Sequence, residues 1–410
     1  MAAIRLQIPR PIGMALVAAL LLRLAFAFLY WVDKPLTHDE REYLALAAGI
    51  AEGRGLVYTE PAEGTAAQFG RAPGYPAFLA LIGAGSRTAQ GTPAVVKMAQ
   101  AIAGALTVYL IALSAIRAAG QTAGVVAAWM AAAYPPLVWI SAYVLSESLY
   151  AALAIATALL LQSSIDGSRV WRAYGAGALC GVAILVRPAM LFFLPLAIVW
   201  LLWRRAPRLA VALTIGALMV VTPWSVRNYR TYGRFVLVAS EGGVTFWTGN
   251  HPLARGEGDL AANPELKRAE LEFRRAHPGL SSEDLEPRYY ADAVAHIRSN
   301  PVWWVGLLVR KLFFTVVPAG PSYALHSFRY RTASRLSYLI VLPFAIAGAA
   351  TLRRSRGRPT ALFLLAASAV LVCVVFFPQE RFRIPVIDPV LIVCAAALAG
   401  QAPRVSSGTE

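Results

Sequence analysis

Residues 170–205 read VWRAYGAGALCGVAILVRPAMLFFLPLAIVWLLWRR. Two apolar runs, 173–186 and 188–203, meet at Arg187-Pro188 and are bounded by Arg172 before them and by Arg204-Arg205 after them. Proline cannot continue a helix that needs its N–H, so it ends one helix and opens the next. Cations at both far ends, with almost no charge between, are what a pair of short membrane helices joined by a tight turn requires.

The same alternation extends in both directions. Apolar runs near 12–32, 92–116, 121–139, 145–163, 209–226, 335–352, 360–377 and 384–400 bring the total to about ten spans, which predicts an all-α polytopic membrane protein. The chain is 58% apolar and 15% charged, more apolar than a soluble core needs. Cys180, Cys373 and Cys394 all lie inside apolar runs, so neither a disulfide framework nor a metal cluster is expected from them. The first run follows Arg5 and Arg10, and Ala25-Phe26-Ala27 imitates a cleavage site. Its length and the interfacial Tyr30-Trp31 instead predict a retained signal-anchor.

A net charge of +16 would suggest a nucleic-acid partner in a soluble domain, but here the basic residues sit between spans, and no such partner is expected. With the N-terminus in the cytoplasm, the inner connections hold Arg5, Arg10, Arg117, Arg169, Arg172, Arg204, Arg205, Arg208, Arg353, Arg354, Arg356, Arg358 and Arg404. Only Asp166 and Glu410 are acidic there. The positive-inside rule then predicts a bacterial inner-membrane protein with both termini cytoplasmic and its working face periplasmic or extracellular. Three regions follow: a membrane core over 1–226 with a first outer loop at 33–91, an outer region over 227–334, and C-terminal spans with a short tail over 335–410. Residues 301–317 (PVWWVGLLVRKLFFTVV) and 72–85 read as helices lying along the outer interface, and 264–275 and 287–299 as helical patches of the outer region.

Chemistry is therefore sought on the outer side. The first loop opens Thr37-His38-Asp39-Glu40 at a helix start. Thr37-x-x-Glu40 fits a capping box, which gives Glu40 a structural duty beside a catalytic one and leaves Asp39 as the preferred base. Glu147 opens the fourth span after the Pro135-Pro136 break, and from there it could orient a base or, with Asp39, hold a metal ion. No cofactor motif is present; a divalent cation is compatible with these acids. For a phosphate-bearing ligand the candidate cations are Arg71, Arg187, Lys311, Arg381 and Arg383, of which Arg187 and the Arg381/Arg383 pair sit on very short turns. Arg23, inside the first span, must face protein or snorkel.

These acids, the Arg-Pro turn, Thr222-Pro223-Trp224-Ser225-Val226-Arg227-Asn228-Tyr229, Gly242-Gly243, Gly249-Asn250 and Glu380-Arg381-Phe382-Arg383-Ile384-Pro385 together form a pattern. In it the chain resembles the bacterial GT-C glycosyltransferases of the protein O-mannosyltransferase and lipid A aminoarabinose transferase type, over residues 10 to 240 and again at 380–385. The resemblance implies a polyprenyl-phosphate-linked sugar as donor and inverting transfer to a hydroxyl of a lipid, glycan or protein. It maps the base on Asp39, a second acid on Glu147, and the phosphate-facing arginines on Arg187, Arg381 and Arg383. The chain is shorter than those enzymes, so the acceptor does not carry over. A transporter or flippase, and a polysaccharide polymerase or ligase handling lipid-linked sugars, are the alternative readings.

Overall fold

The computed structural model describes residues 9–401 except 57, 60–65, 68–69, 234, 259, 321–322, 324–325 and 355–358. Arg5, Arg356, Arg358, Arg404 and Glu410, which carry part of the charge asymmetry, lie outside the described residues.

The chain is helical almost throughout. Helix α1 (Arg10–Ala25) runs on through a π turn at Phe26–Tyr30, and α2 (His38–Ala51) and α3 (Gly74–Leu81) follow in the first long connection. Then come α4 (Ala94–Ala119), α5 (Gln121–Ala133), α6 (Pro135–Trp139), α7 (Glu147–Asp166) and α8 (Val170–Val186). After Arg187 a 3-10 turn, Pro188–Phe192, leads into α9 (Phe193–Trp203) and α10 (Pro207–Tyr232). The second long connection carries α11 (Gly242–Asn250), α12 (Pro264–Arg275), α13 (Ser282–Ser299) and α14 (Pro301–Val316). Helices α15 (Phe328–Arg354), α16 (Thr360–Val375), α17 (Glu380–Arg383) and α18 (Ile387–Ala397) close the bundle. Among the described residues the β structure is one two-residue antiparallel pair, Tyr58–Thr59 with Ala66–Ala67.

An apolar helical segment stands at each expected span. Among the described residues five helices are long and apolar enough to cross a bilayer, the pair α5 and α6, bent by 63° at Tyr134-Pro135, makes a sixth, and α8, α9, α16 and α18 belong to shorter apolar helical segments. The exterior agrees with a lipid setting: α1 exposes Met14, Val17 and Leu21, α10 exposes Ile215 and Leu218, and α15 exposes Leu339 and Phe344. Inside, helices pack on small residues. A methyl group at Gly177 would collide with the Leu213 carbonyl and one at Gly216 with the Tyr174 carbonyl, so α8 and α10 touch backbone to backbone. The three cysteines are free and buried.

Three boundaries differ from expectation. The core does not end at 226, because α10 continues to Tyr232 and stops where Gly233 turns left-handed. The C-terminal part starts within α15 at Phe328 rather than at 335. Helix α13 begins at Ser282 rather than 287, because a capping box between Ser281 and Asp284 starts it and Pro287 is tolerated inside. Helix α14, at 16 residues and about 24 Å, is short of a ~30 Å hydrocarbon core. Val302, Val305, Val309, Phe313 and Val316 form an exposed apolar stripe along it while Leu307, Lys311 and Thr315 face inward, which suits a helix lying in an interface.

The expected capping box is present: Glu40 Oε2 accepts from the Thr37 N–H and hydroxyl, each at 2.8 Å. Its other oxygen accepts from the Val144 N–H at 2.8 Å, so one buried carboxylate starts α2 and pins it to the chain just before α7. Replacing Glu40 by Ala strips the cap and leaves a buried N–H unpaired, a loss of about 2–4 kcal/mol. We expect Glu40→Ala to lower the apparent melting temperature of the solubilised protein strongly and Glu40→Gln to lower it less. Equal stability of all three proteins would contradict this duty for Glu40.

Candidate functional site

A cavity of about 570 Å³ opens where the two long connections meet the bundle. Asp39 and Tyr43 of α2, Arg71, Glu147 and Tyr150 of α7, and Arg187 line one side. Arg381 and Phe382 of the turn between α16 and α18 line it too. Leu191, Phe192, Val372 and Phe376 add an apolar wall, and Glu241, Thr245, Glu286 and Tyr290 bring in α13 and the start of α11. One space thus joins a charged end, an apolar flank and the second long connection.

Asp39 is held from both sides. Its Oδ1 accepts from Arg71 Nη2 and its Oδ2 from Arg381 Nη1, each at 2.6 Å. Burial alone would raise its carboxyl, but the charges and hydrogen bonds of Arg381 and Arg71 outweigh that and hold it well below the usual carboxylate range. Arg71 is fully committed: its Nε also donates to Glu42 at 2.8 Å, its Nη1 faces Glu241 at 3.1 Å, and its guanidinium lies 5.3 Å from the Tyr43 ring centre. Enclosure raises Glu241 above the ordinary glutamate value, and Arg71 opposes that rise. Arg381 has a lighter load, with Gln379 at 2.8 Å besides Asp39, and its side chain is 34% exposed toward the cavity.

Arg187 is drawn to Glu147 at 2.9 Å and to the Ser146 hydroxyl at 3.1 Å. Its guanidinium is 4.9 Å from the Phe382 ring centre, and that of Arg381 is 5.4 Å from the same ring. Phe382 therefore gathers two guanidiniums at the cavity wall.

Of the expected site residues, the structure brings Asp39, Glu147, Arg71, Arg187 and Arg381 together in one cavity. Glu40 is absent from the lining and occupied as described above. Arg383 points the other way: it is buried, 2.8 Å from Asp388 and 3.9 Å from the Tyr338 ring centre. Lys311 is buried as well, donating to Asn250 Oδ1 at 3.0 Å, and burial brings its ammonium down to about 7. None of these three lines the large cavity, and each is engaged within the fold. Asp39 and Glu147 share the cavity, but no group of three or more His, Cys, Asp or Glu suited to a metal ion occurs among the described residues, and arginines engage both acids. The donor set does not fit a divalent ion.

Glu241, Tyr43 and Phe382 were not expected. Glu241 immediately precedes Gly242-Gly243, glycines already notable in the sequence. A Cβ at Gly242 would stand 2.6 Å from the Tyr290 hydroxyl and 3.1 Å from Glu286 Oε1, so glycine there lets α11 close on α13 and delivers Glu241 to Arg71. An acid beside a glycine pair was the available signal.

Three carboxylates share Arg71, whose own side chain is 17% exposed. Arg71→Met would leave them facing one another with little solvent, at a cost of about 3 kcal/mol or more. We expect it to unfold at clearly lower temperature than Arg381→Met, since among the described residues Arg381 forms its ion pair with Asp39, whereas Arg71 pairs with three carboxylates. The reverse order in thermal unfolding of the two purified variants would contradict the shared-hub geometry.

Residues 72–226 match a family model described as dolichyl-phosphate-mannose-protein mannosyltransferase. No curated protein matches the chain. Among solved structures it is similar to the archaeal oligosaccharyltransferase AglB from Archaeoglobus fulgidus in complex with an inhibitory peptide and a dolichol-phosphate, with TM-score 0.56 and 15% identity over 94% of this chain and 50% of that one. The same oligosaccharyltransferase tethered with an acceptor peptide gives TM-score 0.57 and 16% identity over 96% of this chain and 50% of that one. ArnT from Cupriavidus metallidurans bound to undecaprenyl phosphate superposes less well, with TM-score 0.42 and 16% identity over 95% of this chain and 77% of that one. The chain spans about half the length of the oligosaccharyltransferase. It shares the membrane fold of a GT-C glycosyltransferase, and over 72–226 it is similar to the protein mannosyltransferases.

Proposed function

We propose that this chain is a membrane glycosyltransferase that moves a sugar from a polyprenyl-phosphate donor to an acceptor hydroxyl on the outer face of a bacterial inner membrane, with Asp39 as general base. The observation that carries the reading is a carboxylate and two ring-stacked arginines facing one cavity that is apolar on its flank. The apolar flank of Leu191, Phe192, Val372 and Phe376 suits a prenyl chain, and Arg187 with Arg381 suits its phosphate. Glu241, Glu286 and Tyr290 lie on the side of the second connection, where a hydroxyl-bearing lipid, glycan or protein would enter.

In this reaction the acceptor oxygen attacks the anomeric carbon from the face opposite the phosphate. The carbon–oxygen bond to the phosphate breaks as the new one forms, which inverts the carbon, and the acceptor proton passes to Asp39. The departing phosphate gathers negative charge, which Arg187 and Arg381 stabilise. A carboxylate bound on both oxygens by guanidiniums is a weak base. An arriving donor phosphate competes for Arg381, the less committed of the two, and frees Asp39 Oδ2 to take the proton. Arg71 stays on Oδ1 and keeps the carboxylate aimed.

Transfer of labelled sugar from a panel of polyprenyl-phosphate donors, in membranes holding wild type or Asp39→Asn, tests the reading. We expect transfer by wild type and a drop of about 10²-fold or more in the variant at equal folded protein. A folded wild type inactive with every donor and with host lipids, glycans and proteins present would overturn it. The pH profile gives a second test. Asp39 acts ionised, so the acid limb of kcat/KM follows its carboxyl, which the arginines depress in the free protein. Removing one of them in Arg381→Gln lets that carboxyl rise toward its ordinary value of about 3.9. We therefore expect the acid limb to move to higher pH than in wild type, along with a lower rate. An unchanged limb would separate Asp39 from the base role.

A further inference from the structure

Arg23 stands in the half of α1 nearer Trp31, and its side chain is fully buried. A charge inside a span costs about 3 kcal/mol on insertion scales. The fold nevertheless makes room for it: Gly104 of α4 lies against the guanidinium, and a methyl group there would collide with Arg23 Nε and approach its Cδ to 2.7 Å. One nitrogen, Nη1, donates to the Ala19 carbonyl within α1 at 3.0 Å. The other two, Nε and Nη2, are buried and meet no hydrogen-bond acceptor among the described residues.

Those nitrogens belong to a side chain that borders a small cavity of about 10 Å³, separate from the large one. Glu147, Ser148 and Thr107 are among its other walls. Glu147 is itself 1% exposed, and apart from its ion pair with Arg187 its oxygens meet no hydrogen-bond donor among the described residues. Orphan donors on one wall and a carboxylate on another enclose a volume close to what one water needs. A water there can accept from the guanidinium and donate to the carboxylate, which relieves the desolvation of both.

We propose that one buried water in this cavity joins Arg23 to Glu147 and makes Arg23 a positioning residue. Arg23 steadies Glu147 from within the bundle, and Glu147 in turn holds Arg187 at the wall of the large cavity. Arg23 touches neither donor nor acceptor and acts only through this relay. The inference rests on the reading above insofar as Arg187 is taken to meet the donor phosphate.

The test is a double-substitution cycle on the full chain in lipid nanodiscs, with wild type, Arg23→Met, Arg23→Lys, Glu147→Gln and the Arg23→Met/Glu147→Gln pair. Two quantities are read: the apparent melting temperature, and the equilibrium Kd for undecaprenyl phosphate. We expect Arg23→Met to weaken binding about tenfold, equivalent to ~1.4 kcal/mol. Arg23→Lys, which keeps charge and donors, should recover most of it, and the double variant should bind no worse than Glu147→Gln alone. Losses that add in the double variant, in either quantity, would overturn the relay. So would lowered stability of Arg23→Met with unchanged Kd, the mark of a purely structural arginine. If wild type binds no polyprenyl phosphate, the phosphate reading and the positioning role fail together, and the melting temperatures alone then decide whether Arg23 and Glu147 are joined.

Discussion

Asp39 accepts a hydrogen bond on each oxygen, one from Arg71 and one from Arg381, and the second of these spans 342 residues of sequence. That bidentate arrest ties the first connection to the C-terminal turn at the point where the bundle opens. Through Arg71 it also reaches Glu42 and Glu241, so the second connection is fastened to the same centre. Little solvent reaches this cluster, and there each unpaired charge would cost several kcal/mol. Charge neutralisation therefore helps hold the long connections in one arrangement, beside the apolar cluster that Leu46 and Leu56 of the first form with Val236 of the second.

A second layer of pairs lies beneath the first. Arg383 meets Asp388 at 2.8 Å, and Glu380 accepts from the Ser334 hydroxyl, which binds the turn after α16 to α15 and α18. Arg381 and Arg383 sit in one short helix, and residues two apart in a helix point roughly 200° apart. One arginine of the pair can face the cavity only because the other faces the bundle. Arg381 on Asp39 and Arg383 on Asp388 fasten the turn from both sides, which places Phe382 where two guanidiniums gather on it.

Much of this was legible in the sequence, and the physical reason is range. Apolar run length and the distribution of arginines are local quantities, and an apolar helical segment stands at each of the expected spans. The capping box at Thr37 and Glu40 is local too, and it was read from four residues. What Glu40 does with its other oxygen was not legible, since Val144 lies 104 residues away. Lys311 and Arg71 illustrate the same limit. Arg71 stands at the edge of one apolar segment and Lys311 inside another, and the sequence marks both only as outer cations. Only packing reveals that one is buried on Asn250 while the other is shared among three carboxylates. For Arg383 the helical period alone argued against a shared face with Arg381, a step available from the sequence.

The second connection is fastened by its own core and by side-chain hydrogen bonds to the bundle. Trp247, Leu266, Leu285, Tyr289 and Ala293 form a small core of their own, and Trp247 Nε1 donates to Asp292 Oδ2 at 2.7 Å. Asn250 fastens that core to the bundle: Trp304 and Lys311 both donate to its Oδ1 at 3.0 Å, while its Nδ2 donates to the Phe246 carbonyl at 2.8 Å and the Val375 carbonyl at 3.0 Å. A side-chain amide that uses both donors and accepts twice is satisfied to capacity. Swinging the connection away would break these bonds together, including that of a buried ammonium. Rotation of the partly exposed Arg381 side chain breaks far fewer. If a ligand phosphate changes this site, the inexpensive motion is an exchange of partners by one guanidinium, with the walls left standing.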